Sequence, residues 1–263
     1  MSHYLQPMTA LPSPYRSLVV PAIAALSALA VLLGLGTWQL SRLAWKNELV
    51  AQVAARTHAA PVALPSPAAW SAMTAERDEY RRVSVSGTFR NTGETYLYHV
   101  AGDSRRAADP AKVQGQGFLV FTPFVLADGA TVLVNRGFVP NDRRDPATRA
   151  SGQIEGPVTI TGLIRFPEAR SMLAAPDDAA RRLFYTRDIG PMASAAGLGT
   201  NVVAPFSIDA DPVALPGGLP QGGETRLDFP NRHFEYALTW FGLALTLIGV
   251  FVAFVIQKLR AAA

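Results

Sequence analysis

The 263-residue chain contains no cysteine. That absence excludes structural disulfides, cysteine-ligated zinc, iron–sulfur clusters, covalent c-type haem attachment and thiolate carriage of copper. It is compatible with an oxidising compartment without identifying one. Charge is scarce as well. Only 17% of residues are Asp, Glu, Lys or Arg, against about a quarter in ordinary soluble domains. Lysine occurs three times, at Lys46, Lys112 and Lys258. What the chain has instead is apolar: 49% hydrophobic residues and a mean hydropathy of +0.16. Global disorder and a coiled-coil rod are both excluded.

The net charge of +4 is unevenly placed. Residues 59–230 carry 17 Lys+Arg and 18 Asp+Glu, so the remaining seven basic and two acidic residues flank two apolar runs near the ends. A nucleic-acid binder gathers cations on one folded face, whereas cations beside apolar runs suit anionic lipid headgroups. A lipid bilayer is therefore an expected partner and nucleic acid is not.

The runs are Leu18 to Leu40, 23 residues, and Tyr236 to Ile256, 21 residues, both without charge. Each is long enough to span a bilayer core of about 30 Å at ~1.5 Å rise per residue. A cleavable signal peptide is the rival for the first, with Ala28-Leu29-Ala30 imitating a cleavage site, but its apolar region is too long for one. Trp38 and Trp45 close the first run and Trp240 opens the second, the places tryptophan prefers at a membrane surface. Arg42 and Lys46 lie four apart, and Lys258 and Arg260 close the second run. The layout predicts a leader (1–17), a first span (18–40), a central domain (41–235), a second span (236–256) and a tail (257–263). Leader and tail share one side. Basic flanks of the central domain lean against an external location by charge counting, a rule that is weak for long translocated domains.

Inside the central domain the period changes to about two. Residues 60–75 read as a Pro-rich lead-in. Tyr80 to Phe89, Glu94 to Val100, Gly117 to Leu126, Ala130 to Val139 and Pro157 to Phe166 read as strands. Asn91-Thr92-Gly93 and Ala127-Asp128-Gly129 are turn signals between them. Phe184 to Arg187 and Val202 to Ile208 are weaker strand candidates. Ile189 to Leu198 reads as a short helix ending at Gly199 and capped by Asp188. Ala210 to Pro230 is a Pro/Gly-rich linker. The fold class is an α+β membrane protein, with two transmembrane helices flanking a β-rich antiparallel extramembrane sheet or partial barrel.

The chain shows no G-x-S-x-G, H-E-x-x-H, phosphate-loop or dinucleotide pattern, so no enzymatic activity is expected. His99 alternates with Tyr96 and Tyr98 on a strand, and His58 and His3 lie in polar stretches. Arg136, inside an apolar strand, calls for a carboxylate partner. Arg143-Arg144 with Asp142 and Asp145 reads as a solvated loop. His233 stands apart, three residues before the second run. On a helix it shares a face with Tyr236, Ala237, Trp240 and Ala244, which combines an iron-binding imidazole with aromatic and small residues. Ala30 and Gly34 offer small-xxx-small spacing for close helix approach. The residues alone leave two readings of His233 open, a metal ligand or a polar cap beside headgroups.

Gly36-Thr37-Trp38-Gln39-Leu40-Ser41-Arg42-Leu43-Ala44-Trp45-Lys46 is similar to the G-x-W-Q-x-x-R-x-x-W-K signature of the surfeit locus protein 1 family. Further blocks follow in the family's order: Val85-Ser86-Gly87-Thr88-Phe89, Thr122-Pro123-Phe124 and Val134 to Pro140, where Phe138 stands for the family's usual Trp. Gly162-Leu163-Ile164-Arg165 with Pro167-Glu168, Tyr185 with Asp188, and Asn231-x-His233-x-x-Tyr236-Ala237-x-Thr239-Trp240-Phe241 complete them. The resemblance runs from about Gly36 to Phe241. It implies an assembly factor for haem–copper terminal oxidases, above all cytochrome c oxidase. Such a protein would bind haem a transiently and assist its insertion into the catalytic subunit, with haem a synthase a possible further partner. The implied iron ligand is His233, with Tyr236 and Trp240 lining the porphyrin. The implied location is a bacterial inner membrane, with the central domain periplasmic and both ends cytoplasmic. The competing expectation is a membrane scaffold that stabilises an oxidase intermediate without binding haem.

Overall fold

The computed structural model describes residues 16–102, 112–199, 202–225, 227 and 229–261. The expected leader up to residue 15, with His3, and the last two tail residues lie outside the described residues, as does Arg226. In chain order the elements are α1 (Arg16–His58), β1 (Val62–Ala63), α2 (Ala75–Asp78), β2 (Arg82–Phe89), β3 (Thr95–Ala101), β4 (Gly115–Leu126), β5 (Thr131–Pro140), β6 (Pro157–Arg165), β7 (Leu183–Phe184), α3 (Ile189–Ala195), β8 (Val203–Ala210) and α4 (His233–Arg260). They fall into two compact units, one of residues up to 51 with those from 229 onward, the other of residues 52–228.

The first unit is helical. α1 does not stop where the apolar run stops. It continues beyond Leu40 to His58, 43 residues in all. The extension is rich in Ala, Leu, Arg, Lys, Glu and Gln, all good helix formers, and it ends three residues before Pro61, which disfavours helix in the residue ahead of it. Hydropathy marks only the greasy part of this helix, so the helix is longer than the expected span 18–40. α4 begins at His233 and carries Lys258 and Arg260 in its last turn, where cations complement the helix dipole. The apolar stretches of both helices are almost wholly uncovered by protein. A soluble core helix would be buried, whereas apolar faces left bare on this scale need lipid.

Between the two helices runs a narrow seam. The less exposed positions of α1 include Ala22, Ala25, Leu29, Leu32, Gly36, Gln39, Leu43 and Lys46. Those of α4 include His233, Ala237, Trp240, Ala244, Leu247, Phe251 and Phe254. Both series step by alternating threes and fours, the spacing of a coiled-coil-like contact. Gln39 meets His233, Gly36 meets Phe241, and Leu29 shares a crevice with Leu247 and Phe251, so the helices run antiparallel. The expected small pair does not make this approach: Ala30 and Gly34 are exposed, and no atom lies within 4 Å of where a Gly34 Cβ would sit. Gly36 does, because its Cβ would stand 2.7 Å from the Phe241 ring.

The second unit is an eight-stranded sheet that closes on itself. Its order is β1-β2-β6-β8-β5-β4-β3-β7, and β2 also pairs with β4. β2, β6, β8, β5 and β4 thereby form a ring, which leaves none of these five strands as a free edge along its paired length. β4 pairs with β5 along one edge and divides the other by length: residues 115–121 pair with β3 and residues 124–126 with β2. The expectation of an antiparallel sheet holds for most of the ring but not for β5–β8, which is parallel; the chain returns to β8 by way of α3 rather than by a hairpin.

Alternation builds two cores. Val83, Val85, Phe124, Val132, Val134, Ile164, Phe206 and Ile208 pack on one face, closed by Trp70 edge-on to Phe206. Leu119, Phe121, Leu133 and Phe184 pack on the other, beneath Ile189 and Met192 of α3. β5 is covered on both sides, which is why it reads as a nearly continuous apolar run. The Pro-rich lead-in holds the short strand β1 and the turn carrying Trp70, and the helix α2 starts at its end. Phe184 to Arg187 shrinks to the two-residue β7. Asp188 occupies the N-cap position of α3, but its side chain makes no capping hydrogen bond.

Candidate functional site

The imidazole of His233 opens α4 and is half-buried. Its Nδ1 lies 2.7 Å from the side-chain Oε1 of Gln39 on α1, while Nε2 makes no hydrogen bond among the described residues. The turn ahead of α4 is tied down nearby: Asn231 donates to Asn47 at 2.9 Å and accepts from the His233 backbone N–H at 3.4 Å. Ala237 and Ala244 are buried on the same face, Trp240 is half-buried and Tyr236 is 53% exposed. The face expected from helical spacing therefore exists, with Tyr236 at its outer margin. On α1, Trp38 and Trp45 point outward, 53% and 52% exposed, and the Arg42 guanidinium lies over Trp45, 4.4 Å from the ring centre. Lys46 sits 5.5 Å from the centre of the Phe229 ring.

The other histidines among the described residues make no comparable site. His58 is exposed and bonds the Ala54 carbonyl through Nδ1 at 2.8 Å. His99 packs edge-on to Phe138. No group of three or more His, Cys, Asp or Glu that could hold a metal ion is present among the described residues.

The β domain holds two buried ionic clusters. Arg136 has the acidic neighbour expected of it, Glu94 at 3.9 Å, but Glu94 pairs chiefly with Arg149. Gln153 and the Tyr96 hydroxyl also donate to Glu94, each at 3.1 Å. Burial pushes the Arg136 guanidinium down to about 10, and nearby Glu94 only partly offsets this. Arg144 is not simply solvated: its guanidinium stacks over Tyr96 and Phe118, which covers the ring faces and shields the Glu94 cluster.

Asp209 centres the second cluster. It accepts from Arg187 at 2.6 Å, Asn135 at 2.9 Å, Thr225 at 2.9 Å and Arg165 at 3.4 Å. Burial alone raises its pKa, but these partners, Arg187 foremost, outweigh burial and hold the carboxyl below its ordinary value. A polar cavity of about 430 Å³, lined in part by Tyr98, Tyr185, Arg165 and Arg187, adjoins this cluster. Sequence reasoning missed Asp209, Arg187 and Arg149. A charge within an alternating strand flags Asp209, whereas its partners lie far along the chain and carry no local signal. The importance of Gln39 was missed as well; its signal is one amide at the three-four spacing of Leu32, Gly36 and Leu43.

These features define a class: an α+β membrane protein in which two lipid-type helices flank a closed β domain and share one seam ending in a histidine–glutamine pair. The SURF1 family model matches residues 26–245. Surfeit locus protein 1 of Rattus norvegicus is 38% identical over 219 residues, covering 81% of this chain and 69% of the relative. The protein of that name from Homo sapiens is 38% identical over 223 residues, covering 80% and 69%. That of Takifugu rubripes is 35% identical over 244 residues, covering 88% and 95%. The chain belongs to the SURF1 family. The matched region takes in Gln39, His233, Tyr236 and Trp240.

Proposed function

We propose that this protein is an assembly factor for cytochrome c oxidase and related haem–copper oxidases. It receives haem a and helps place it in the catalytic subunit, working as a holder and not as an enzyme. The family membership and its implied role support this reading, and one observation carries it: a single imidazole at the end of a two-helix seam, with Nε2 unbonded among the described residues. One protein nitrogen is too few for a bare metal ion, which needs about four ligands. It is enough for iron whose equatorial positions a porphyrin already fills. The donor set therefore fits haem and not a free ion.

In this reading His233 holds the iron. Trp240 and Tyr236 offer aromatic surface to the macrocycle, while Ala237 and Ala244, buried in the seam, let α1 come close to α4 beside the ring. Haem a is cargo, so its grip has to be released to a tighter-binding acceptor, the oxidase subunit, by differential affinity. The leader and tail are cytoplasmic and the β domain is periplasmic in a bacterial inner membrane, with haem a synthase as the donor of the cargo. The test is purification of the full chain from a host that makes haem a, followed by its absorption spectrum. Wild type retains haem a and His233→Ala loses it. Full retention by His233→Ala overturns the ligand assignment. A haem-free wild type that still carries oxidase subunit points to a scaffold instead.

A further inference from the structure

We infer that Gln39 is the positioning residue of this site. Its side-chain carbonyl accepts a hydrogen bond from the Nδ1–H of His233, which leaves Nε2 as the lone-pair nitrogen offered to haem iron. This inference deepens the reading above and rests on it for the identity of the metal. A neutral imidazole carries one N–H, and which nitrogen holds it is set by the hydrogen bond the other ring atom is given. Gln39 presents Oε1 to Nδ1 at 2.7 Å. An amide oxygen cannot donate, so the proton belongs to Nδ1 and the lone pair to Nε2. Ligating histidines need a partner of this kind to fix the ring and raise the basicity of the bonding nitrogen.

Gln39 is suited to hold this position. Only 9% of it is exposed, and it occupies a seam position between Gly36 and Leu43, so its side chain has little freedom to lose. The second link, Asn47 to Asn231, restrains the chain just ahead of His233. The ring is therefore oriented by α1 although it belongs to α4. Its strength as a ligand depends on the two helices staying together, and parting them at this end removes the acceptor from Nδ1. That is a physical route to a grip that weakens at handover.

The experiment uses the full chain in detergent micelles. Uniform nitrogen-15 labelling of histidine, with His233→Ala to assign the signals, reads the tautomer without haem. The expected wild-type spectrum shows a protonated Nδ1 and a bare Nε2 at His233. Gln39→Leu yields a mixture of tautomers, and Gln39→Glu keeps the wild-type form. A protonated Nε2 in wild type overturns the inference whatever haem does. Haem a is then titrated into each variant. Gln39→Leu weakens binding roughly 10- to 100-fold, the usual cost of removing such a partner, and lowers the iron–histidine stretching frequency of the ferrous form. Gln39→Glu restores affinity and raises that frequency, a response that lost packing alone does not give. An unchanged frequency and affinity in Gln39→Leu sink the role of Gln39 while leaving His233 as ligand. Haem binding unaffected by His233→Ala sinks the ligand reading itself, and the tautomer result still stands on its own.

Discussion

Gly36 is a point of close approach in the helix seam, and adding a methyl there has a calculable effect. A Cβ at this position meets the Phe241 ring at 2.7, 2.8 and 3.1 Å. Carbon atoms are comfortable at about 3.5–4.0 Å, so the ring or the helix must yield by about 1 Å. Phe241 is half-buried next to Ala237 and Ala244, and its ring has some room to swing outward; Gly36→Ala therefore costs toward the lower end of the ~1–3 kcal/mol typical of overpacking. Gly36→Leu exceeds what ring rotation absorbs and pushes the helices apart. One turn away, the Gln39–His233 bond tolerates less than 1 Å of stretch before it ceases to be one. Because the chain has no cysteine, Leu40→Cys and Leu238→Cys can carry spin labels without interference. Both residues are exposed, at 41% and 57%. The label separation should grow in Gly36→Leu, with a lower thermal midpoint in micelles, and Phe241→Ala in the Gly36→Leu background should reverse much of both changes. An unchanged separation in Gly36→Leu, or a double variant no better than the single one, refutes the seam as described.

In the β domain, Asp209→Asn takes the nearest carboxylate from buried Arg187 and one of three from half-buried Arg165, and should cost about 3 kcal/mol, read from the urea midpoint of the full chain. The pH dependence has a definite sign. Folding holds the Asp209 carboxyl below its ordinary 3.8, so its contribution is complete above that value and is lost as pH falls below it. Asp209→Asn should show a flatter loss of stability below about pH 4, and an unchanged acid slope contradicts the assignment. Phe206→Ala, at a fully buried position between Trp70 and Phe166, should cost about 3–5 kcal/mol in the same assay. Gly137→Ala should free the linker after β8. Gly137 has φ +123°, and a Cβ there would stand 2.1 Å from the Gln221 carbonyl oxygen. The paired bonds between Phe138 and Gln221, both 2.8 Å, would break, and the segment should become a site of rapid proteolysis.

Much of this architecture was readable along the chain. Uninterrupted apolar runs announced both helices, and period-two alternation placed β2 to β6 within a residue or two. Those signals are local, since they record which faces meet lipid or core. What stayed hidden depends on residues far apart in sequence. Nothing near Val203 to Ala210 announces a parallel partner in β5, and ring closure through residues 87–89 and 124–126 is a matter of topology. The continuation of α1 to His58 escaped because charged helix formers are as helical as leucine but carry no hydropathy. At the candidate site, spacing alone placed His233, Tyr236, Ala237 and Trp240 on one face. It could not show that Gln39, 194 residues earlier, supplies the acceptor for the ring, nor that Gly36 replaces Gly34 as the contact point.

The position of β8 within the ring has a bearing on how the molecule is made. β8 is the last strand to be synthesised, yet it sits between β5 and β6. Until Ala210 has been polymerised, those two strands each present an unsatisfied backbone edge, so a nascent chain that stalls after Arg165 carries two adhesive borders and no way to seal them. α4 starts only 23 residues after Ala210, so sealing of the ring and arrival of the second greasy helix follow closely on one another during synthesis. Premature stop codons anywhere before that point should yield a sticky, degradable remnant in place of a partially working domain.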